Sequence, residues 1–373
     1  MTLLFEENQG ILEIMLDGLA DGILVVDSSG SVLFANKAVK DLFELSREPV
    51  GRDILEVVRN HRIHKLVRET IDSKQPTTEE IELTSGQREA GHLVLSVNAE
   101  PFPGPLGDQY FRVILRDDTQ RVETEQVRRD FVANASHELR TPLSIINGYI
   151  ENLRDGAVEE KELAHRFLGI MKKHGDRIAR IVEDMLTISK FESAAQDPTK
   201  ASVFDLQGCA LDVVERLDPL IEEKQTSITV TPKDSASLIC GDRFYWDQIF
   251  FNLIENALKQ NIRPGLNVKI SFEDQGTQFR ICISDDGVGI PMADLPFIFK
   301  RFYRVEKHHS KEIKGTGLGL SIVKRAIESH GGTVEASSTP GKETAFVIHV
   351  PKGDVEEAIS REPERKEQPF EAH

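Results

Sequence analysis

Phe131–Leu153, FVANASHELRTPLSIINGYIENL, has apolar residues at helical spacing and a single histidine, His137, five residues before Pro142. Val127, Phe131, Ala135 and Leu139 form one stripe, which Ile146, Ile150 and Leu153 continue beyond the proline. Downstream, Leu163, Phe167, Ile170, Ile178, Ile181, Met185 and Ile188 mark a second helix, joined to the first by RDGAVEEKE, Arg154–Glu162. Two long helices with a short connection predict an antiparallel hairpin. One hairpin cannot cover both stripes by itself, so a four-helix bundle in a homodimer is expected.

His137 is the residue that could carry chemistry in this stretch. Alone, a histidine on a helix is a surface or packing residue. Here Glu138 adjoins it, Thr141 lies one turn on and shares its face, and Pro142 removes a backbone donor and is expected to bend the helix at that turn. An imidazole is nucleophilic when neutral, and a carboxylate that orients or deprotonates one ring nitrogen makes the other more reactive. The group suits a phosphoryl acceptor.

The flanking segments have different patterns. Before the hairpin, GILVVDSSGSVLFANKA (Gly22–Ala38) reads as two strands about a Ser-Ser-Gly turn, and HLVLSVNAEPF and YFRVILRDDT supply two more strands around PGPLGD. A small α+β domain with an antiparallel sheet follows. After the hairpin, WDQIFFNLIENALKQ and LGLSIVKRAIESHGG read as helices, and NVKISFED, FRICISDDG, GTVEASST and TAFVIHVP as strands. That order predicts an α/β domain whose sheet is covered on one face by helices. The expected boundaries are residues 1–118 for the first domain with an N-terminal helix, 119–196 for the hairpin, 197–352 for the α/β domain, and 353–373 for a charged, disordered tail.

Composition narrows the function. The chain has 373 residues, enough for several domains, and a formal net charge of -16, which argues against broad binding to nucleic acid or anionic lipid. Three cysteines, Cys209, Cys240 and Cys282, lie far apart, which suggests neither a disulfide framework nor a zinc knuckle, and fits a reducing cytosol. No apolar run approaches a spanning helix, and MTLLFEENQG lacks the pattern of a signal peptide. The expectation is a soluble, cytoplasmic chain, or the cytosolic part of a longer membrane sensor.

Three further clusters lie in the α/β segment. In NLIENALK, Asn252, Asn256 and Lys259 project from one helical face, with amide oxygens suited to Mg2+ on phosphates and a lysine charge for the same phosphates. SDDGVGIP ends a strand with Asp285, Gly287 and Gly289, where a carboxylate can accept from an exocyclic amine and glycines permit close approach. GTGLGLSIV, with Gly315, Gly317 and Gly319, opens directly into a helix and offers backbone amides to phosphate. It has G-x-G-x-G spacing after a polar loop, not the strand-led G-x-G-x-x-G of a dinucleotide fold.

In this order the motifs resemble the sensor histidine kinases of two-component systems, over nearly the whole chain from about Glu13 to Pro351. SHELRTPL resembles the H box, NLIENALK the N box, SDDGVGIP the G1 box, IFKRFYR the F box and GTGLGL the G2 box. DGILVVDSSGSVLFANKAVKDLF, with RDDT closing the domain, is similar to a PAS sensor domain, and the build is similar to phosphate-regulon sensor kinases, which usually add membrane helices upstream. The resemblance implies a PAS domain, a dimeric helical bundle and a Bergerat-type ATP-binding α/β sandwich. It implies that His137 takes the γ-phosphoryl of ATP with Glu138 as general base, and that Arg304 assists transfer. It implies that Asn256 ligates Mg2+, Lys259 contacts phosphate, Asp285 reads the adenine amine and Thr344 lies near the adenine. The phosphoryl group then passes to an aspartate of a response regulator receiver domain. Thr141 is placed to orient water toward that phosphoaspartate, a phosphatase role. Gln260 departs from the family, which often has an aromatic residue there. Regulation is expected at a lid, about Asp294–Lys314, and at the junction Arg116–Val122.

Two rival readings share parts of this pattern. Chaperone and topoisomerase ATPases share the nucleotide fold but use a glutamate one turn before the Mg2+ asparagine, where this chain has Asn252; Glu255 is expected to point off that face. A scaffold that only binds a signal through its PAS domain has no need of the intact His137, Asn256 and Asp285. His61 and His64 read as a solvated helix rather than a haem or metal site, His308 and His309 as exposed lid, and His174 as packing or polar lining.

Overall fold

The computed structural model describes residues 10–353 except 13, 84–91, 105–107, 194–200, 232–236, 262–263 and 306–314, together with residue 355. It divides into two compact units, Met1–Asp130 and Phe131–His373. All of the charged tail except Gly353 and Val355, and the His308-His309 pair, lie outside the described residues.

The first unit holds an antiparallel sheet in the order β2-β1-β5-β4-β3. Its strands are β1 (Gly22–Val26), β2 (Val32–Ala35), β3 (Thr77–Leu83), β4 (Leu93–Pro103) and β5 (Gln109–Asp117). Helices α1 (Lys37–Leu42), α2 (Ile54–Val58) and α3 (His61–Ser73) lie between β2 and β3 in the chain. Leu24, Val39, Ile54, Ile63, Leu95 and Val113 close its core. The expected hairpin is present, with Val25 opposite Phe34. β3 was not expected, because TTEEIEL buries Ile81 but little else.

Asn36 shows how this small core keeps its polar atoms satisfied. Fully buried, it accepts from the Ile23 N–H at 2.8 Å, caps α1 through the Val39 N–H, and donates to the Leu16 and Asp21 carbonyls, both at 2.9 Å. His64 receives an Arg68 N–H at 3.3 Å beside Asp53, in a polar cluster near the surface. Among the described residues, no group of three or more His, Cys, Asp or Glu could hold a metal ion.

At the expected junction, the Asp118 N–H bonds the Val94 carbonyl at 2.9 Å and Thr119 Oγ1 accepts from the Val94 N–H at 2.9 Å. There α4 (Thr119–Arg154, 36 residues) begins. It runs unbroken through Pro142, which is buried. After a 3-10 turn at Ala157–Glu159 comes α5 (Lys161–Ser193). The two helices form the hairpin, with Tyr149 and Phe167 rings 4.8 Å apart.

The remainder of the second unit is a sheet in the order β11-β12-β10-β9-β7, formed by β7 (Ser227–Thr231), β9 (Asn267–Asp274), β10 (Gln278–Asp285), β11 (Thr333–Thr339) and β12 (Glu343–Pro351). Helices α6 (Leu206–Lys224), α7 (Arg243–Gln260) and α8 (Gly319–Ser329) share its core, in which Trp246, Phe250, Ile281 and Ile348 are fully buried. Strand β12 alternates throughout and β10 over its first seven residues, as expected of a sheet with one covered face. Sequence reading missed α6, which contains Pro219, and the two-stranded sheet of β6 (Ser202–Asp205) with β8 (Leu238–Gly241). Ile188 and Phe191 of α5 enter this same core, and Phe191 lies 4.3 Å from Tyr245 between ring centroids. Among the described residues, no helix is long and apolar enough to cross a membrane.

Candidate active site

The larger cleft of the second unit, about 1760 Å³, lies between α7, the end of β10, the segment before α8, and one side of α5. Asn252, Asn256, Lys259, Asp285, Gly289, Gly315, Gly317, Gly319, Arg304 and Thr344 all line it. Residues separated by more than ninety positions in the chain thus meet at one cavity.

Each is placed by a local cause. Helical spacing brings Asn252, Asn256 and Lys259 to the same wall. Asp285 ends β10 directly opposite Thr344 of β12, so strand register couples the two. Burial pushes the Asp285 carboxyl above the usual carboxylate range, opposed by the Gly287 N–H that donates to Oδ1 at 2.9 Å. Gly287 is not among the lining residues; it orients Asp285 instead. Thr344 is buried, its hydroxyl 3.2 Å from that of Ser338.

The glycine segment packs against two different partners. Gly317 has φ +77°, and a β-carbon there would meet the Phe302 backbone at 2.9 Å; Phe302 itself has φ +61° and donates its N–H to the Gly317 carbonyl at 2.8 Å. A β-carbon on Gly319 would instead meet the Asn252 side-chain oxygen at 2.5 Å.

Lys259 and Glu255 require a correction. Glu255 does not point away from the cleft but lines it, accepting from Lys259 Nζ at 2.6 Å and pairing with Arg180 Nη1 of α5 at 3.3 Å. Helix α7 is embedded in the cleft wall, and Glu255 lies only about 40° around the helix from Lys259, so the face that reaches the cavity is wider than the Asn-Asn-Lys stripe. Burial lowers the Lys259 pKa, and Glu255 opposes that shift.

His137 lies elsewhere. It is exposed and lines a smaller cleft of about 300 Å³ with Asn134, Glu138, Lys300, Arg301, Phe302 and Tyr303. Phe302 and Tyr303 line both cavities and so form the wall between them. Glu138 is tied across the hairpin to Arg177 of α5, Nη2 to Oε2 2.6 Å. The Thr141 hydroxyl donates to the His137 carbonyl at 3.2 Å. Arg301 stacks on Phe131, 5.1 Å from the ring centre, and Phe131 lies 5.8 Å from Phe302. Sequence reading did not find Arg177 or Arg301; both act through partners distant in the chain.

Buried polar groups elsewhere serve packing. His330 donates from Nδ1 to the Ala326 carbonyl at 2.8 Å and accepts the Asp242 N–H on Nε2, while burial lowers its pKa. His174 is buried in the hairpin, as the packing reading expected, and burial lowers its pKa as well. Cys209 is buried and its thiol is pushed up to about 11. All three cysteines are free.

Comparisons with known proteins identify the domains. Residues 11–117 match the PAS fold, residues 127–194 the His Kinase A (phospho-acceptor) domain, and residues 241–354 the histidine kinase-, DNA gyrase B- and HSP90-like ATPases. The sensor histidine kinase WalK of Bacillus subtilis is 31% identical over 347 residues, covering 91% of this chain and 55% of that protein. A sensor protein kinase WalK of Staphylococcus aureus is 30% identical over 350 residues, covering 93% of this chain and 82% of that protein. The crystal structure of histidine kinase ThkA in complex with response regulator protein TrrA matches 91% of this chain and 97% of that one, at 20% identity and a TM-score of 0.49, a likeness too slight to bear on function. This chain spans about half the length of WalK from Bacillus subtilis and from Staphylococcus epidermidis. With a PAS domain, a phospho-acceptor domain and an ATPase domain in that order, and a relative matched along most of its length, the chain belongs to the sensor histidine kinase family.

Proposed function

We propose that this chain is an ATP-dependent protein-histidine kinase that phosphorylates itself on His137 and passes the phosphoryl group to an aspartate of a response regulator. The observation that supports it most is the single cleft that gathers Asn252, Asn256, Lys259, Asp285, Thr344 and the 315–319 glycine segment beside the hairpin that carries His137. Asp285 and Thr344 suit the adenine edge, and Lys259 with the amides ahead of α8 suits the phosphates. Asn256 offers a hard amide oxygen to the same cavity, which fits Mg2+ whose remaining ligands are phosphate oxygens and water. The ion would neutralise charge on the phosphates. Phosphoryl transfer asks little covalent chemistry of the protein beyond position and countercharge.

In the reaction a ring nitrogen of His137 forms the N–P bond as the bond to ADP breaks. Glu138 takes the proton from the other ring nitrogen, exchanging its pairing with Arg177 to do so. Because Phe302 and Tyr303 stand between the two cavities, the α/β domain must shift against the hairpin before transfer. Arg304, exposed at the cleft, is positioned to follow the moving charge. Thr141, freed from the His137 carbonyl, would orient water toward the regulator's phosphoaspartate, releasing inorganic phosphate and the free aspartate. The hairpin acts as a homodimer. The signal is read by the PAS domain, and the segment 294–305 with Arg116–Val122 relays it.

His137→Gln should abolish acid-labile labelling by γ-labelled ATP while leaving nucleotide affinity intact, and Asp285→Asn should weaken that affinity because an amide can turn a donor toward the adenine amine. Label persisting on the His137 variant would overturn the assignment.

A further inference from the structure

Helix α5 supplies one wall of the large cleft through Arg180, Asp184, Thr187 and Lys190. It is held there by Ile188 and Phe191, which are 2% and 5% exposed within the α/β core. The wall is therefore part of the packing of this unit.

What this wall touches is specific. The Thr316 hydroxyl donates to Asp184 Oδ2 at 2.6 Å and accepts the Leu318 N–H at 3.2 Å. Thr316 stands just ahead of α8, an 11-residue helix whose N-terminal amides and dipole favour an anion. One turn back along α5, Arg180 holds Glu255, and Glu255 holds Lys259. Thr316, within the glycine segment, and Lys259 are thus each held through their side chains by a carboxylate. Burial pushes the Asp184 carboxyl above the usual range, opposed by the Thr316 hydrogen bond and by Arg180. A triphosphate entering the cleft would meet like charge at the position its own oxygens need, and a partly buried site screens that repulsion poorly.

We propose that Asp184 is an internal competitor for the phosphates of the nucleotide: its carboxylate occupies Thr316 at the helix N-terminus, so nucleotide entry requires α5 to release that segment. This rests on reading the cleft as the ATP site. Coupling is reciprocal, so whatever draws α5 from Thr316 strengthens nucleotide binding, and bound nucleotide frees the hairpin to reposition. Asp184 then links helix movement to occupancy of the cleft without touching the reacting atoms. It is a regulatory residue, distinct from the catalytic set.

The test titrates a fluorescent, non-hydrolysable ATP analogue with Mg2+ into the full chain. Asp184→Ala should bind about tenfold more tightly, within the usual range of coupling between sites. Asp184→Asn, isosteric and safe for folding, should bind about threefold more tightly, because a neutral amide still accepts from Thr316 but a charge-assisted bond is about twice as strong. Unchanged affinity in both variants overturns the proposal. Weaker binding also overturns it, since Asp184 would then belong to the nucleotide site as a metal or phosphate partner. Asp285→Asn runs alongside as the control for the cleft. If it weakens binding while the Asp184 variants do not strengthen it, the competitor alone fails; if Asp285→Asn has no effect, the reading of the cleft falls and the competitor with it.

Discussion

The hairpin and the α/β domain bury their apolar residues to very different extents. In the α/β domain Trp246, Phe250, Ile254, Ile281 and Ile348 are all fully buried, and the helices cover the sheet face they need to cover. In the hairpin Val132, Leu143, Ile150, Leu168 and Val182 remain exposed, with Leu143 and Ile150 seven apart and Leu168 and Val182 fourteen apart, spacings that keep each pair on one helical face. The first region finishes its core within one chain, whereas the second leaves an apolar stripe exposed. A closed α/β core and a helical pair with an exposed apolar stripe can therefore respond to different influences.

The strongest way to separate them is Leu168→Glu. Burying one leucine is worth about 1.5–3 kcal/mol, counted twice across a two-fold axis, so dimer affinity should fall by about a hundredfold or more. Sedimentation should show monomer while the thermal unfolding of the α/β domain stays as in wild type; an intact dimer would place Leu168 outside the interface. A smaller effect is expected from Thr141→Ala, which should leave self-phosphorylation and forward transfer unchanged and slow the decay of labelled regulator by about tenfold or more. Equal decay rates would remove Thr141 from that step.

The smallest effect lies on the other side of the comparison. His330 and His174 have pKa values held below their ordinary 6.5 by burial. Their unfolded forms take up protons first, so this stability is complete above pH 6.5 and is lost as pH falls through the folded values. Melting temperature should accordingly drop on acidification below 6.5. His330→Leu should flatten the part of that slope carried by the α/β domain, after an overall loss of about 1–3 kcal/mol for the unpaired Asp242 N–H. An unchanged slope would assign the pH response to His174 in the hairpin or to carboxylates.

What the sequence disclosed about this molecule follows the range over which its signals act. The Asn252-Asn256-Lys259 face, the glycine segment and the acceptor helix are local patterns, and all were legible. Thr344 was reachable only through family resemblance, and the strand register then set it opposite Asp285. The pairs Glu138 with Arg177 and Asp184 with Thr316 join residues 39 and 132 positions apart, with no local periodicity to announce them. The Glu255 expectation failed because a helical wheel gives direction relative to the helix but not how deeply that helix sits in a wall. Helix α6 was hidden by Pro219, although the Asp205 side chain caps it through the Gln207 and Gly208 N–H groups at 3.2 and 3.0 Å.

Gly317, just ahead of α8, and Gly319, its first residue, differ in how they could change over generations. At Gly319 the obstacle to a larger residue is a side chain, Asn252, so positions 252 and 319 can drift together, one shrinking as the other grows. At Gly317 the obstacle is the Phe302 backbone, which no replacement of Phe302 can trim. A lineage that loses Gly317 has no single compensating step at its contact, and must rebuild the path of the chain between the two cavities.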